Sequence, residues 1–448
     1  MPSGPLEIAR LAAPPRLTWR VPGSKSLTNR AFVLAALADG RSEITGVLES
    51  DDTRYMRVAL QALGIDIETK DDTTIVVSGG RSRLRAPDGP IFIGNSGTSV
   101  RFLAALAALV PGPVTLVGDD AMARRPIEDL VDGLRQLGVR VECETGCPPL
   151  TVYGGRLPGG VVRMRGDRSS QYFSALMLAA GAAEADIEIQ VEGRLVSRPY
   201  VEITRRMAAD FGGRVDAGST SFLVHATGGY RARRYAIEPD ASSASYPFAL
   251  AAATGGSIVV PGLGPSALQG DYAFTHVLEQ MGASVHANTN ETRVEGETHD
   301  GTVALRGVDV DMHDISDTVM TLAAIAPLAD APTRIRNIAN IRIKETDRLA
   351  ALATELAKLG QDVTEGPDWI EIRPRPIRPA LVHCYADHRI AMSFAVLGLA
   401  AGGVTLDDPA CVAKTYPGFW DDVDRACGSV GQGAGGRGQR AGNRTAKR

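Results

Sequence analysis

The chain has 448 residues, too many for one ordinary hydrophobic core, so two or more domains are expected. Apolar residues at 44% and charged residues at 22% are those of a globular protein. A net charge of −4 gives no general attraction for nucleic acid, so an anionic ligand would need a local basic site. The five cysteines include no CxxC pair, and the seven histidines form no HExxH cluster, which argues against a disulfide framework and against a zinc site. MPSGPLEIAR does not resemble a signal peptide, and no apolar run is long enough to span a bilayer. A cytoplasmic, metal-free protein is the expectation.

Along the chain, Pro22-Gly23-Ser24-Lys25 leads into a predicted helix over 26–40, SLTNRAFVLAALADG. Leu60-Gln-Ala-Leu63-Gly64 ends a second helix, and Thr74–Ser78 reads as a strand. Gly94-Asn95-Ser96-Gly97-Thr98 opens a helix over 97–110, followed by Arg124-Arg125-Pro126 and a helix end at Leu137-Gly138. Ser169-Ser170-Gln171 opens a helix over 169–183, Ile187–Val191 is a strand, and Ser197-Arg198-Pro199-Tyr200 precedes a helix ending at Phe211-Gly212.

In the second half the inward helix is predicted over 243–256, with a helix end at Met281-Gly282. A helix over 316–329 contains Asp317, and Arg342-Ile-Lys344-Glu345-Thr-Asp347-Arg348 precedes a helix ending at Leu359-Gly360. Trp369–Arg373 is a strand, Asp387-His388-Arg389 opens a helix over 387–402, Lys414 follows, and a degenerate helix end lies at Cys427-Gly428. The remainder, rich in glycine and arginine, reads as a disordered basic tail.

These elements repeat. A helix closed by Leu-Gly or a close variant, then a β-branched strand, returns roughly every 70 residues, and an Ala/Leu-rich buried helix returns with it. Six units, each of strands plus two helices, divide into two sets of three near Ile237-Glu-Pro-Asp240, where proline interrupts regular structure. A solenoid of six equal units is the alternative, disfavoured by the length and variability of the units.

Polar residues gather at the starts of the buried helices. A first helical turn offers unpaired N–H groups and partial positive charge, and so binds phosphate or carboxylate. Capping explains the serines there, but not the lysines and arginines placed beside them. The first cluster lacks the GxxxxGK[ST] spacing of a P-loop.

PGSKSLTNRA (22–31) and RIKETDR (342–348) resemble the two signature segments of the 5-enolpyruvylshikimate-3-phosphate synthase family, and GNSGTSVR, RRPI, SSQ, SRPY, DASSASY, DHR and AKTYPG follow in the family's order. The resemblance runs from Val21 to Phe419. It implies an α/β fold: a two-domain inside-out α/β barrel of six βαβαββ-type repeats, three per domain. Residues 24–238 would form the N-terminal domain, 1–23 with 239–427 the C-terminal domain, and 428–448 the tail.

It also implies transfer of the enolpyruvyl group of phosphoenolpyruvate to the 5-hydroxyl of shikimate 3-phosphate, with release of phosphate and without metal or other cofactor. By the same resemblance Asp317, Glu345 and Lys25 are catalytic. Lys25, Ser26, Arg30, Ser169, Ser170, Gln171, Ser197, Asp317, Asn340 and Lys344 would hold shikimate 3-phosphate. Lys25, Gly97, Arg125, Gln171, Arg348, Arg389 and Lys414 would hold phosphoenolpyruvate. Asp52, Asp347 and Tyr200 rank as supporting residues and His388 as structural.

Phe102 stands near a position where many family members carry proline, while Gly97 is retained, so binding of the family's inhibitor glyphosate is expected. The competing readings are a UDP-N-acetylglucosamine enolpyruvyl transferase, disfavoured because Asp119–Pro126 holds no cysteine, and an RNA-binding protein using the basic tail. A monomer with no membrane or nucleic-acid partner is expected. Basic residues facing each other across a cleft would repel, so anionic substrate should favour closure.

Overall fold

The computed structural model describes residues 4–300 and 302–432. Its first half is built around three inward helices, Lys25–Leu37, Gly97–Ala107 and Ser170–Ala180, which pack on one another. Ala, Leu and Phe on all sides of these helices leave no polar stripe to face water, so sheets cover them from outside. The second half repeats the plan with Ala241–Thr254, Val319–Ile325 and His388–Ala401. One apolar core runs from Leu27 to Ile237, and a second takes in Ile8, Trp19 and Val21 with Ala241 to Ala426.

Among the described residues each half carries three outer sheets with a shared pattern, a parallel pair and then antiparallel neighbours, and the second half adds the small antiparallel pair Thr298–His299 with Thr302–Val303. One sheet orders Gly160–Arg165, Ile187–Glu192, Ser221–His225 and Arg214–Ala217, the first pair parallel and the others antiparallel. Asp309–Asp311, Thr333–Arg336, Trp369–Arg373 and Asp362–Glu365 repeat it in the second half. Parallel neighbours need a crossover, and in these two sheets the inward helices Ser170–Ala180 and Val319–Ile325 supply it. Strand residues alternate between buried and accessible, as in Thr333–Arg336, because one face meets the helices and the other faces water.

The chain ends close the second half. Leu6–Ile8 pairs antiparallel with Val404–Leu406, and Arg16–Thr18 pairs parallel with Ser257–Val259. The chain passes between the halves along two adjacent segments: Gly23 bridges Pro239, Ser24 N–H donates to Glu238 O, and Asp240 N–H to Pro22 O.

The repeat glycines Gly64, Gly138, Gly212, Gly282 and Gly360 all have positive φ, 80–99°, as a left-handed residue after a helix requires. Gly428 departs from this. It lies inside the helix Phe419–Gln432, so the sixth unit has no second hairpin of its own and borrows Leu6–Ile8 instead. The expected tail therefore starts too early: residues 428–432 are helical, and 433–448 lie outside the described residues. The first inward helix stops at Leu37, where Ala38 begins the strand Ala38–Thr45. The helix expected over 316–329 is instead a 3₁₀ turn Ser316–Thr318, the helix Val319–Ile325 and a 3₁₀ turn Ala326–Leu328 containing Pro327. Among the described residues no helix is long and apolar enough to cross a membrane.

Candidate active site

The starts of the inward helices face the junction of the two halves. Lys25 opens the first helix; its N–H donates to Asp240 Oδ2 at 3.1 Å, and its ammonium lies 3.1 Å from Asp52 Oδ2. Asp240 also caps Ala241–Thr254 through Ser243 N–H, so one carboxylate ties two helix starts together. Gly97 opens the second helix, and Arg125 leaves the turn Met122–Arg124 to donate to Asn95 O and Oδ1 at 3.2 and 3.1 Å. A Cβ on Gly97 would lie 2.4 Å from Arg125 Nη2 and 2.8 Å from Arg101 Nη1, so only glycine permits this arrangement. Ser169 caps the third helix, accepting from Gln171 N–H at 3.2 Å.

From the second half, Asp317 does not cap a helix. It accepts from Arg389 Nη2 at 2.9 Å and lies 3.5 Å from Arg348 Nη1 and 4.0 Å from Lys344 Nζ. Glu345 is surrounded by Arg348 at 2.8 Å, Lys414 at 3.2 Å and, from the first half, Arg125 at 3.7 Å. Arg348 is held in turn by Asp387, which receives Nε at 2.7 Å and Nη2 at 3.1 Å, a forked pair that fixes the plane of the guanidinium. Asp387 also caps His388–Ala401 by accepting from Arg389 N–H.

Burial alone would raise the pKa of both Glu345 and Asp317. The cations overcome it: Arg348, Lys414 and Arg125 hold Glu345 well below the usual carboxylate range, and Arg389, Lys344 and Arg348 do the same for Asp317. Burial, reinforced by Lys25 and Arg389, pushes His388 well below the usual histidine range, so it is neutral at pH 7. Neither of its ring nitrogens has a hydrogen-bond partner among the described residues.

Lys25, Asp52, Gly97, Thr98, Arg125, Gln171, Asp317, Lys344, Glu345, Arg348 and Arg389 enclose one cavity of about 30 Å³. Of the remaining expected site residues, Lys414 touches Glu345, whereas Ser197 and Asn340 meet Ser316 at the same junction. Ser170 is buried behind the capped turn. Arg30 lies beneath the lining: it is 1% exposed, and its guanidinium donates to Thr204 Oγ1, Ser174 Oγ and the carbonyls of Ser26 and Tyr200. Burial pushes it down to about 10. Ser26 contributes that carbonyl. Asp347 caps Arg348–Lys358 and binds Arg342 away from the cavity.

A sequence profile of EPSP synthase (3-phosphoshikimate 1-carboxyvinyltransferase) matches residues 16–423. The chain belongs to the EPSP synthase family. The 3-phosphoshikimate 1-carboxyvinyltransferase of Trichormus variabilis is 44% identical over 421 residues, covering 93% of this chain and 97% of the relative. That of Serratia proteamaculans is 43% identical, covering 91% and 95%. The solved EPSP synthase of Acinetobacter baumannii superposes with a TM-score of 0.78 at 27% identity, over 95% of this chain and 98% of that one. The enolpyruvyl transferase NikO of Streptomyces tendae, 19% identical with a TM-score of 0.75, shares the fold. The two-domain inside-out α/β architecture is that of the EPSP synthases.

Arg101, Asp387 and Asp271 are further polar residues at this junction whose places depend on the fold. Arg101 donates to Gly97 O, Gln171 Oε1 and Pro126 O, and so connects three segments of the first half. An arginine inside an otherwise apolar buried helix was the available signal. Asp387 was visible as a helix cap, but its pairing with Arg348 depends on the fold. Asp271, described below, carries no signal in sequence.

Proposed function

We propose that this chain is a 3-phosphoshikimate 1-carboxyvinyltransferase, acting as a cytoplasmic monomer in the shikimate pathway toward chorismate and the aromatic amino acids. It transfers the enolpyruvyl group of phosphoenolpyruvate to the 5-hydroxyl of shikimate 3-phosphate and releases phosphate. The observation that carries the reading is the enclosure of Glu345 and Asp317 by cations from both halves around one cavity.

The chemistry follows from that arrangement. In the addition step the substrate hydroxyl oxygen bonds to C2 of phosphoenolpyruvate, its proton passes to Asp317, and the methylene carbon takes a proton from the Glu345 carboxyl. In the elimination step Glu345 recovers a proton from the new methyl group, the C2–O bond to phosphate breaks, and the Asp317 proton leaves with phosphate. Lys25, Arg125, Arg348, Arg389 and Lys414 bind the phosphate and carboxylate of phosphoenolpyruvate, with Gly97 and Gln171 as close polar neighbours. Lys25, Ser26, Arg30, Ser169, Ser170, Gln171, Ser197, Asp317, Asn340 and Lys344 bind shikimate 3-phosphate, with Arg30 also holding the Tyr200 and Ser26 carbonyls.

Glu345 must carry a proton to act in the addition step, yet its cationic neighbours favour the carboxylate. Phosphoenolpyruvate resolves this. Its oxyanions claim Arg125, Arg348 and Lys414, and they place negative charge beside Glu345, which raises its proton affinity. A cavity of about 30 Å³ is far below the roughly 300 Å³ of a small-molecule site. Entry therefore requires residues 24–238 to part from 1–23 and 239–427, hinged on the two segments at Pro22–Ser24 and Glu238–Asp240.

Purified protein mixed with phosphoenolpyruvate and shikimate 3-phosphate is expected to release phosphate, and no release is expected with UDP-N-acetylglucosamine as acceptor. Release with the nucleotide sugar alone, or with neither acceptor, refutes the assignment.

A further inference from the structure

Beneath Asp317 lies a second buried carboxylate that the mechanism above does not use. Asp271, in the turn Gly270–Ala273, is 2% exposed. The Tyr200 hydroxyl donates to Asp271 Oδ2 at 2.9 Å and lies 3.4 Å from Asp317 Oδ2. The Ser242 hydroxyl donates to the same Asp271 oxygen, while Asp271 Oδ1 is buried without a hydrogen-bond partner. A phenol has one hydrogen, so Tyr200 serves one carboxylate at a time.

We propose that Asp271 is a positioning residue for Asp317: by drawing the Tyr200 hydrogen to itself, it leaves Asp317 Oδ2 open to the proton of the substrate hydroxyl. This rests on the functional reading above. Asp317 Oδ2 already accepts from Arg389 Nη2. A second hydrogen bond from Tyr200 would fill the remaining acceptor site of that oxygen and weaken Asp317 as a proton acceptor. The phenol is itself no proton source, because burial and the charges of Asp271 and Asp317 hold its pKa well above the usual tyrosine range.

The arrangement responds to pH. Burial first, then the charge of Asp317, push Asp271 up to about 6, against Ser242, Arg389 and Tyr200, which favour its ionised form. Above that pH ionised Asp271 is the stronger acceptor and holds the Tyr200 hydrogen. Below it, protonated Asp271 accepts weakly, the hydrogen turns to Asp317 Oδ2, and Asp317 becomes the weaker proton acceptor.

The test is the pH profile of kcat/KM for wild type, Tyr200→Phe and Asp271→Asn between about pH 5 and 8. Wild type should lose activity through one ionisation near pH 6 beyond those of the substrate phosphates, which are common to all three proteins. Tyr200→Phe has no hydrogen to turn and should lack that ionisation. Asp271→Asn mimics the protonated state; it should lack the ionisation too and run about tenfold or more below wild type at pH 8. If Asp271→Asn fails to fold, Tyr200→Phe, which removes a single hydroxyl, carries the test. An identical acid limb in wild type and Tyr200→Phe overturns the inference alone. Wild-type protein that turns over neither acceptor overturns the functional reading on which it rests.

Discussion

Arg125 Nη1 lies 3.7 Å from Glu345 Oε1, and the two residues come from different halves of the molecule. Arg125 follows a turn over the first core; Glu345 precedes the helix Arg348–Lys358 of the second. The contact joins the halves through the same charges that a bound anion would claim. On the function proposed above, entry of phosphoenolpyruvate would replace Glu345 as the partner of Arg125, which would link binding to proton affinity.

That linkage predicts proton uptake. Calorimetry of phosphoenolpyruvate binding in two buffers of different ionisation enthalpy, near neutral pH and with shikimate 3-phosphate present, should show uptake of up to about one proton. The uptake should vanish in Glu345→Gln, whose amide cannot take it. Equal uptake in wild type and variant would place the proton elsewhere, on the substrate phosphate or another group.

The same residue predicts a kinetic signature. Glu345→Gln keeps the shape of the site but can neither deliver nor recover the methylene proton. Its kcat should fall by roughly 10²–10⁴-fold, the usual worth of a general acid–base, with KM for shikimate 3-phosphate nearly unchanged. A loss confined to KM would make Glu345 a binding group.

Much of this fold was legible because it repeats. The glycines Gly64 to Gly360 marked helix ends through a backbone conformation that other residues adopt at a cost, and that local rule held five times. At Gly428 it failed: the helix runs on through that position. Lys25, Arg125 and Arg348, which stand out in short segments of the sequence, line one cavity in the structure. Distant pairings were not legible: Arg348 with Asp387 and Tyr200 with Asp271 are set by how helices from separate repeats dock, which no local pattern encodes. The partners of Arg30 are of the same kind: Thr204 and Ser174 come from distant segments of the chain.

Gly97→Ala tests the packing of the anion site. The added methyl would meet the guanidinium of Arg125 at 2.4–2.6 Å and Arg101 at 2.8 Å, contacts that real Cβ atoms do not make. Arg125 is the movable partner, so it should shift from its place between Asn95 and Glu345. The expected result is a rise of about tenfold or more in KM for phosphoenolpyruvate, weaker inhibition by glyphosate, and a smaller effect on KM for shikimate 3-phosphate. Unchanged KM for phosphoenolpyruvate would show that Arg125 does not hold that substrate.

Asp271 makes a prediction about stability as well. Its folded pKa, raised to about 6, stands above the ordinary aspartate value of 3.8, so the folded state binds the proton more tightly than the unfolded chain. The stability contributed by that proton is fully present below about pH 4 and is lost as pH rises through about 6. At neutral pH the buried charge therefore costs the fold on the order of 3 kcal/mol relative to acid conditions. Asp271→Asn carries no charge to bury and escapes this cost. Its melting temperature relative to wild type should climb by several degrees between about pH 4 and 7 and then level off. The slope of that difference, rather than its absolute value, is the readout, because the amide also alters the hydrogen bonds to Tyr200 and Ser242. A difference that stays flat across this range would mean that Asp271 is ionised throughout, and would remove the physical basis for a Tyr200 hydrogen that moves with pH.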